Sequence, residues 1–403
     1  MNKIQRLIDE GVAYSVAEAQ GILGADKYEE ALNYRVINRY RQYADKYFLR
    51  SNQILKAEGL NPWVNMQIFI RKGPGIVGGV WEALEKVTSN ANVTSDWRVY
   101  SKNDGDRYEA EETIINIIAP IQEIMELETL YLGIISYGTS VINGKALDLK
   151  RIRENVEKVV ELAYPRLVFY FGARHWHWEM DYEISKIAMK AGCSDCSTDN
   201  GAKKFGKEGI GTIPHALENI YAYYYGVENA VVESTKAFDR YMSPEIPRIA
   251  LIDYANKEIT DTITLIREMG SGLYGVRVDT CGENFMQGAT AKRSVSIDGV
   301  HGVVKAIQNQ SGAPEAKVIL SSGFGNPDKV QMFNKAEDFL GIQLYDSIGA
   351  GFMYDTITAT ADIIAVGDSP DDVDYIAGNP NSNNIIHKVG RPPKVNRNIR
   401  RVV

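Results

Sequence analysis

The chain has 403 residues, 44% of them apolar and 24% charged, with a net charge of −7. At roughly 100–200 residues per domain this length predicts two or three domains, with a core large enough to need no staples. The acidic balance argues against a general nucleic-acid binder, which needs a basic face. Three cysteines (Cys193, Cys196 and Cys281) make no disulfide framework and fit a reducing cytoplasm, and no stretch reaches the ~20 apolar residues of a membrane span.

The N-terminal 60 residues read as largely helical, over Glu18 to Leu32 and again over Tyr34 to Leu55, from apolar residues at helical spacing. No signal peptide is expected. Met66–Ile70 predicts a strand that ends in the breaker Lys72-Gly73-Pro74-Gly75. Gly73-Pro74-Gly75-Ile76-Val77-Gly78 fits G-x-G-x-x-G by letter, but Pro74 sits inside it and no clear βαβ unit surrounds it. A second strand is expected at Asp96–Tyr100. A long helix is expected from about Ile118 to Ile142, broken near Leu127 and ended by Asn143-Gly144.

From about residue 150 the rhythm changes. Leu167–Phe171, Ile249–Ile252, Val276–Val278, Val318–Leu320 and Ile342–Tyr345 predict strands, with helical stripes between them. Ile259, Ile263 and Ile266 form one stripe, and Val303, Val304 and Ile307 another. A third carries Val330, Phe333, Ala336 and Phe339 behind an Asn326 N-cap and Pro327. Strands alternating with helices imply parallel pairing, most simply an α/β barrel. Asp362–Val366 predicts one more strand. The basic tail from Arg391 to Arg401 reads as solvated, or as a strand returning to the N-terminal domain. The domain expectation is 1–155 for an N-terminal helical and α/β sandwich domain, 156–358 for the barrel and 359–403 for a returning segment. No short-period repeat is visible.

In a barrel the working residues lie at the carboxyl ends of strands. Read in order, those ends supply Arg174-His175, Ser197, Thr212-Ile213-Pro214-His215, Asp253, Asp279, Ser322-Gly323 and Gly349-Ala350-Gly351. His215 follows Gly211 and Pro214 and precedes a helix, so it is placed to act as acid, base or nucleophile, or only to pack the helix start. Arg174 suits bidentate capture of a carboxylate or phosphate, or an ion pair at a domain interface. Asp253 and Asp279 suit sugar hydroxyls or Mg²⁺, with helix capping as the alternative. The two glycine turns offer backbone N–H groups to a phosphate. Trp176-His177-Trp178 offers rings that stack on a heteroaromatic base, or that merely pack. Cys193-x-x-Cys196 lacks the second pair that a closed zinc site needs.

Five of these stretches resemble the nicotinate phosphoribosyltransferases. Phe171-Gly172-Ala173-Arg174-His175 is similar to the family's Phe-Gly-x-Arg-Arg, and Ala202…Gly206…Gly211-Thr212-Ile213-Pro214-His215 to its Ala-x-x-x-Gly…Gly-Thr-x-x-His. Arg277-Val278-Asp279-Thr280, Ser321-Ser322-Gly323 and Gly349-Ala350-Gly351 resemble its later turns. The resemblance covers about residues 165–355. It implies an incomplete α/β (TIM-like) barrel packed on an α/β sandwich, and a homodimer or larger homo-oligomer. It implies transfer of phosphoribosyl from phosphoribosyl pyrophosphate to nicotinate, with Mg²⁺ and with ATP hydrolysed through a phosphohistidine at His215. By the same resemblance Arg174 pairs the nicotinate carboxylate, Asp253 and Asp279 hold ribose hydroxyls or Mg²⁺, and Ser322, Gly323, Gly349 and Gly351 hold the 5-phosphate. His175, Ser197 and Thr212 are further substrate-binding residues by that resemblance, and His215, Arg174 and Asp279 are the catalytic ones. His175 stands where the family usually has a second arginine, and Phe324 and Phe352 depart from its later turns. The expectation is therefore nicotinate, with nicotinamide or another pyridine as the alternative and a non-catalytic phosphosugar-binding relative as the alternative of another class.

Overall fold

The structure, a computed structural model, describes residues 39–313, 315–352, 356–374, 376, 384–394 and 399–403. Met1–Gln42 and Tyr43–Val403 form separate compact units, and the helix expected at Glu18–Leu32 lies outside the described residues. The second unit carries two sheets. Its strands in chain order are β1 (Trp63–Ile70), β2 (Gly75–Ile76), β3 (Arg98–Ser101), β4 (Arg107–Tyr108), β5 (Thr113–Pro120), β6 (Leu167–Tyr170), β7 (Asp195–Cys196), β8 (Ile249–Leu251), β9 (Gly275–Val278), β10 (Lys317–Leu320), β11 (Ser347–Ala350), β12 (Ala359–Gly367) and β13 (Arg400–Arg401).

The first sheet is antiparallel, in the order β12-β1-β5-β3-β13. β1 and β5 are buried on both faces, so their polar residues need internal partners. Asn116 Nδ2 donates to Asn65 Oδ1, and Asn65 Nδ2 donates to the Val373 carbonyl. The run from Thr113 to Ile118 is β-branched apart from Asn116, and it forms strand where a helix was expected to begin. Helix begins at Ile121 as a short α-helix to Ile124 and a 3-10 turn over Met125–Leu127, and after this expected break the long helix runs Glu128–Ile142. The helix expected over Tyr34–Leu55 is likewise divided. A 3-10 turn ends at Tyr43, Asp45 bridges to Thr198, and the α-helix runs Lys46–Glu58.

The second sheet is parallel throughout, in the order β7-β6-β11-β10-β9-β8, and it curls into an incomplete barrel. Its apolar core takes Val168, Ala250, Val276, Val318 and Ile348 from the strands. The opening lies between β7 and β8. Residues 207–214 cross it without forming a strand, held by Ile210 N–H on the Cys196 carbonyl and by Thr212 Oγ1 on the Ile249 carbonyl. Two expectations fail on this sheet. Ile342–Tyr345 is not a strand, because the pairing residues are Ser347–Ala350. Phe339 does not join Val330 and Phe333 in the core but is 89% exposed.

Residues 384–394 form a strap across both sheets. Val389 N–H meets the Tyr254 carbonyl beyond β8. Gln67 of β1 donates to the Pro392 carbonyl and accepts from Lys394 N–H. Arg391 pairs with Asp362 at 3.2 Å, and Lys394 with Glu111 at 2.7 Å. Of the basic tail, these residues are paired within the protein, and Arg400–Arg401 pairs antiparallel with β3. The three cysteines are buried thiols, and no helix among the described residues is long and apolar enough to cross a membrane.

Candidate functional site

His215 is the first residue of the helix His215–Tyr225, immediately after Pro214. Helix N-termini carry unpaired N–H groups and partial positive charge, so an anion attached there is favoured. Its Nε2 lies 3.0 Å from Asp253 Oδ1, just past the end of β8. Asp253 is fully buried, and its other oxygen faces Lys388 Nζ at 2.8 Å. Lys388 also donates to the Asp253 carbonyl at 2.6 Å. Burial pushes the Asp253 carboxyl upward, but Lys388 and His215 outweigh burial and hold it far below the usual carboxylate range. Burial lowers the His215 imidazole against the pull of Asp253, so the ring is neutral at neutral pH.

These facts fix the tautomer. An ionised carboxylate only accepts, so Nε2 must carry the ring proton, and Nδ1 keeps its lone pair. No hydrogen-bond partner is placed on Nδ1 among the described residues. The imidazole is 29% exposed, at the edge of a recess lined also by Tyr47, Glu128, Arg174, Arg277, Asp279 and Lys388. A neutral imidazole with an unpartnered Nδ1 lone pair at such a recess is able to act as a nucleophile or as a hydrogen-bond acceptor.

Arg174 fits both of its sequence readings. It lines the recess, and it pairs with Asp45 and Glu128 at 3.3 Å each. Burial raises the Glu128 carboxyl to about 8 against the opposing charge of Arg174, so Glu128 is protonated at neutral pH. Arg277 is a second guanidinium in the recess. It lies 3.0 Å from Asp279 Oδ2 and donates to the Ile213 carbonyl in the segment that carries His215. Residues i and i+2 of a strand share a face, so Arg-x-Asp at the end of β9 was a readable signal for this pair. Lys388 and Glu128 had no such signal, since both arrive from distant segments.

Other expected site residues are placed elsewhere. His175 does not line the recess. It is packed so closely on Gly351 that a side chain there would overlap its ring, and burial, with Arg174 beside it, pushes the imidazole down to about 3. A neutral ring cannot replace an arginine at an anion site, and Arg277 is the cation that the recess supplies. Gly349 lies inside β11, where a Cβ would meet the Phe171 ring at 2.5 Å. These two glycines have a packing reason, and Gly349 forms no turn. Ser197 is buried away from the recess, its carbonyl taking Lys46 N–H, and Thr212 spends its hydroxyl on Ile249. Ser322-Gly323 does form a turn after β10, both residues with positive φ, and Lys329 Nζ donates to the Ser322 carbonyl at 2.8 Å. Trp176 is buried, and Trp178 packs edge-on against Tyr43 under Lys86, so neither faces the recess. The aromatic residues that line it are Tyr47, 5.6 Å from the Arg174 guanidinium, and Phe48.

Neither aspartate is a helix cap, since the next helices begin at Glu258 and Ile297. Both Asp253 oxygens are taken by cationic or N–H partners, so Asp253 does not fit as a magnesium ligand. Asp279, 27% exposed and with one oxygen toward Arg277, fits the single carboxylate that Mg²⁺ commonly uses beside phosphate oxygens and water. No group of three or more His, Cys, Asp or Glu able to hold a metal occurs among the described residues.

A parallel incomplete barrel with its site at the strand carboxyl ends, closed by an antiparallel sheet that the C-terminal residues complete, is the type II phosphoribosyltransferase fold. Residues 45–138 match the family model for the quinolinate phosphoribosyl transferase N-terminal domain. Within that class the fold is the one seen in nicotinate phosphoribosyltransferases. The Vibrio cholerae structure of that name superposes with a TM-score of 0.60 at 14% identity, covering 82% of this chain and 87% of its own. The Porphyromonas gingivalis one gives 0.59 at 15% identity, covering 81% and 90%. No curated protein sequence matches the chain.

Proposed function

We propose that this chain is a nicotinate phosphoribosyltransferase of pyridine-nucleotide salvage. The pyridine nitrogen attacks C1 of phosphoribosyl pyrophosphate, the C1–O bond to pyrophosphate breaks, and nicotinate mononucleotide forms. The transition state resembles an oxocarbenium ion, so the protein's work is positioning and charge stabilisation rather than strong base catalysis. Arg174 and Arg277 hold anionic groups of the two substrates, Tyr47 lies against the pyridine, and Asp279 holds ribose hydroxyls. Asp279 is the residue that would hold Mg²⁺, which would supply neutralisation of the pyrophosphate charge.

In this reading His215 couples ATP. Nδ1 attacks the terminal phosphorus, the bond to the ADP oxygen breaks, and water later takes the phosphoryl group from the ring. The observation that carries the reading is the His215–Asp253 contact, which occupies Nε2 and leaves Nδ1 unpartnered in a ring that lines the same recess as Arg174 and Arg277. One observation favours a second pyridine, the uncharged nicotinamide: Arg174 already pairs with the buried Asp45 at 3.3 Å. The test is purified protein with phosphoribosyl pyrophosphate, Mg²⁺ and either nicotinate or nicotinamide, with and without ATP, followed by mononucleotide formation. Product from nicotinate, increased by ATP, is expected. No product from either pyridine refutes the proposal.

A further inference from the structure

The histidine and its aspartate belong to the barrel, but the third member of the cluster does not. Lys388 comes from the strap, 135 residues after Asp253. It is 3% exposed and pairs with no other carboxylate among the described residues. A buried ammonium is costly unless paired, so the strap delivers this charge to a single place. The strap is pinned on both sides of it. Asn219, in the helix that His215 begins, donates to the Ile386 carbonyl, and Asn284 donates to the Val389 carbonyl. Gln67 of the antiparallel sheet then holds 392 and 394.

Around the cluster, the charged or titratable groups facing His215 are Asp253, Lys388 and Asp279. Those facing Lys388 are Asp253, His215, Glu218, Cys281 and Arg391. Glu218, one turn along from His215, is fully buried with neither carboxyl oxygen partnered, and burial pushes its carboxyl well above the usual carboxylate range. Lys388 is therefore the cation locked on Asp253 from the side opposite the imidazole.

We propose that Lys388 is a positioning residue for His215: by binding both the carboxylate and the carbonyl of Asp253, it holds that carboxylate as a pure acceptor, aimed at Nε2, and so keeps Nδ1 unprotonated toward the recess. The proposal rests on His215 as phosphoryl acceptor only for its kinetic consequence. The tautomer itself is independent of that reading. Lys388 touches no substrate and acts through Asp253. Without it, Asp253 loses its anchor and turns or takes up a proton, and the proton on the imidazole is no longer confined to Nε2.

The experiment is nitrogen-15 NMR of histidine-labelled protein, which separates the two tautomers, on the wild type, Lys388→Met, Lys388→Arg and the double variant Asp253→Asn/Lys388→Met. The wild type and Lys388→Arg are expected to show His215 as the Nε2–H form, and Lys388→Met a mixture. Should Lys388→Met not fold, the double variant replaces the buried pair by neutral groups, which proteins often tolerate. It is expected to show the mixture too, since an amide both donates and accepts. An unchanged Nε2–H form in folded Lys388→Met, or in the double variant, overturns the proposal. The companion measurement is labelled phosphate taken up from ATP. Its rate is expected to fall about tenfold or more in Lys388→Met, since a misplaced ring proton disables the nucleophile, and to recover with arginine. If the wild type takes up no phosphate, the ATP reading of His215 fails while the tautomer result still decides the role of Lys388.

Discussion

Glu128→Gln tests whether the recess stores a protonated acid against Arg174. Glu128 is 5% exposed, and burial moves it from its ordinary 4.5 to about 8. A carboxyl whose folded value is raised ionises first in the unfolded chain, so its contribution to stability falls as pH rises from 4.5 and levels off above about 8. At about 1.4 kcal/mol per pH unit, the cost is roughly 3 kcal/mol at pH 7 and up to about 5 kcal/mol above pH 8. Glutamine keeps the shape and removes the titration. For a chain of roughly 400 residues the unfolding entropy is about 0.8 kcal/mol per degree, so 3 kcal/mol corresponds to ~4 °C. Scanning calorimetry of both proteins is expected to show nearly equal Tm at pH 5 and a variant about 4 °C more stable by pH 7–8. A variant less stable than the wild type at pH 8 refutes the reasoning, since Glu128 would then be a useful anion. Under the proposed function, nicotinate KM rises above pH 8 in the wild type as ionised Glu128 occupies Arg174, and it stays flat in the variant.

His215→Ala is expected to abolish ATP hydrolysis and ATP stimulation while leaving some ATP-independent transfer, and surviving stimulation would count against the phosphohistidine role. Gly351→Ala forces a methyl group into the His175 ring, so a loss of about 1–3 kcal/mol is expected by thermal unfolding. Phe339→Ser, at an exposed position, is expected to change stability by no more than about 0.5 kcal/mol, which the same assay checks.

The parallel barrel was legible because four of its six strands are short, apolar and followed by helices, and these four lie within a residue of where the pattern puts them. The antiparallel sheet was less so. Thr113–Ile118 is apolar enough to begin either element, and only pairing with β1 and β3 decides for strand. Ser347–Ala350 escaped notice because its serine and glycine carry little strand preference. The glycine at 349 is required by the Phe171 ring, a contact between β11 and the end of β6 that no local pattern encodes. In the site, His215, Arg174 and Asp279 were readable from their places at strand ends. Asp253 was readable at a strand end as a metal or sugar ligand, whereas in the fold its two oxygens meet His215 and Lys388. Lys388 and Glu128 reach the recess from segments without a motif, so their roles exist only in the folded chain.

The gap between β7 and β8 carries a liability as well as an access route. A parallel sheet that stops short of closure exposes two edges, and unpaired edges are templates for joining another chain. Here the edges are two and three residues long, and the crossing segment already takes a carbonyl from each side. What remains is too short to recruit a foreign strand. The barrel therefore stays unclosed on that flank while being poorly suited to self-association through it.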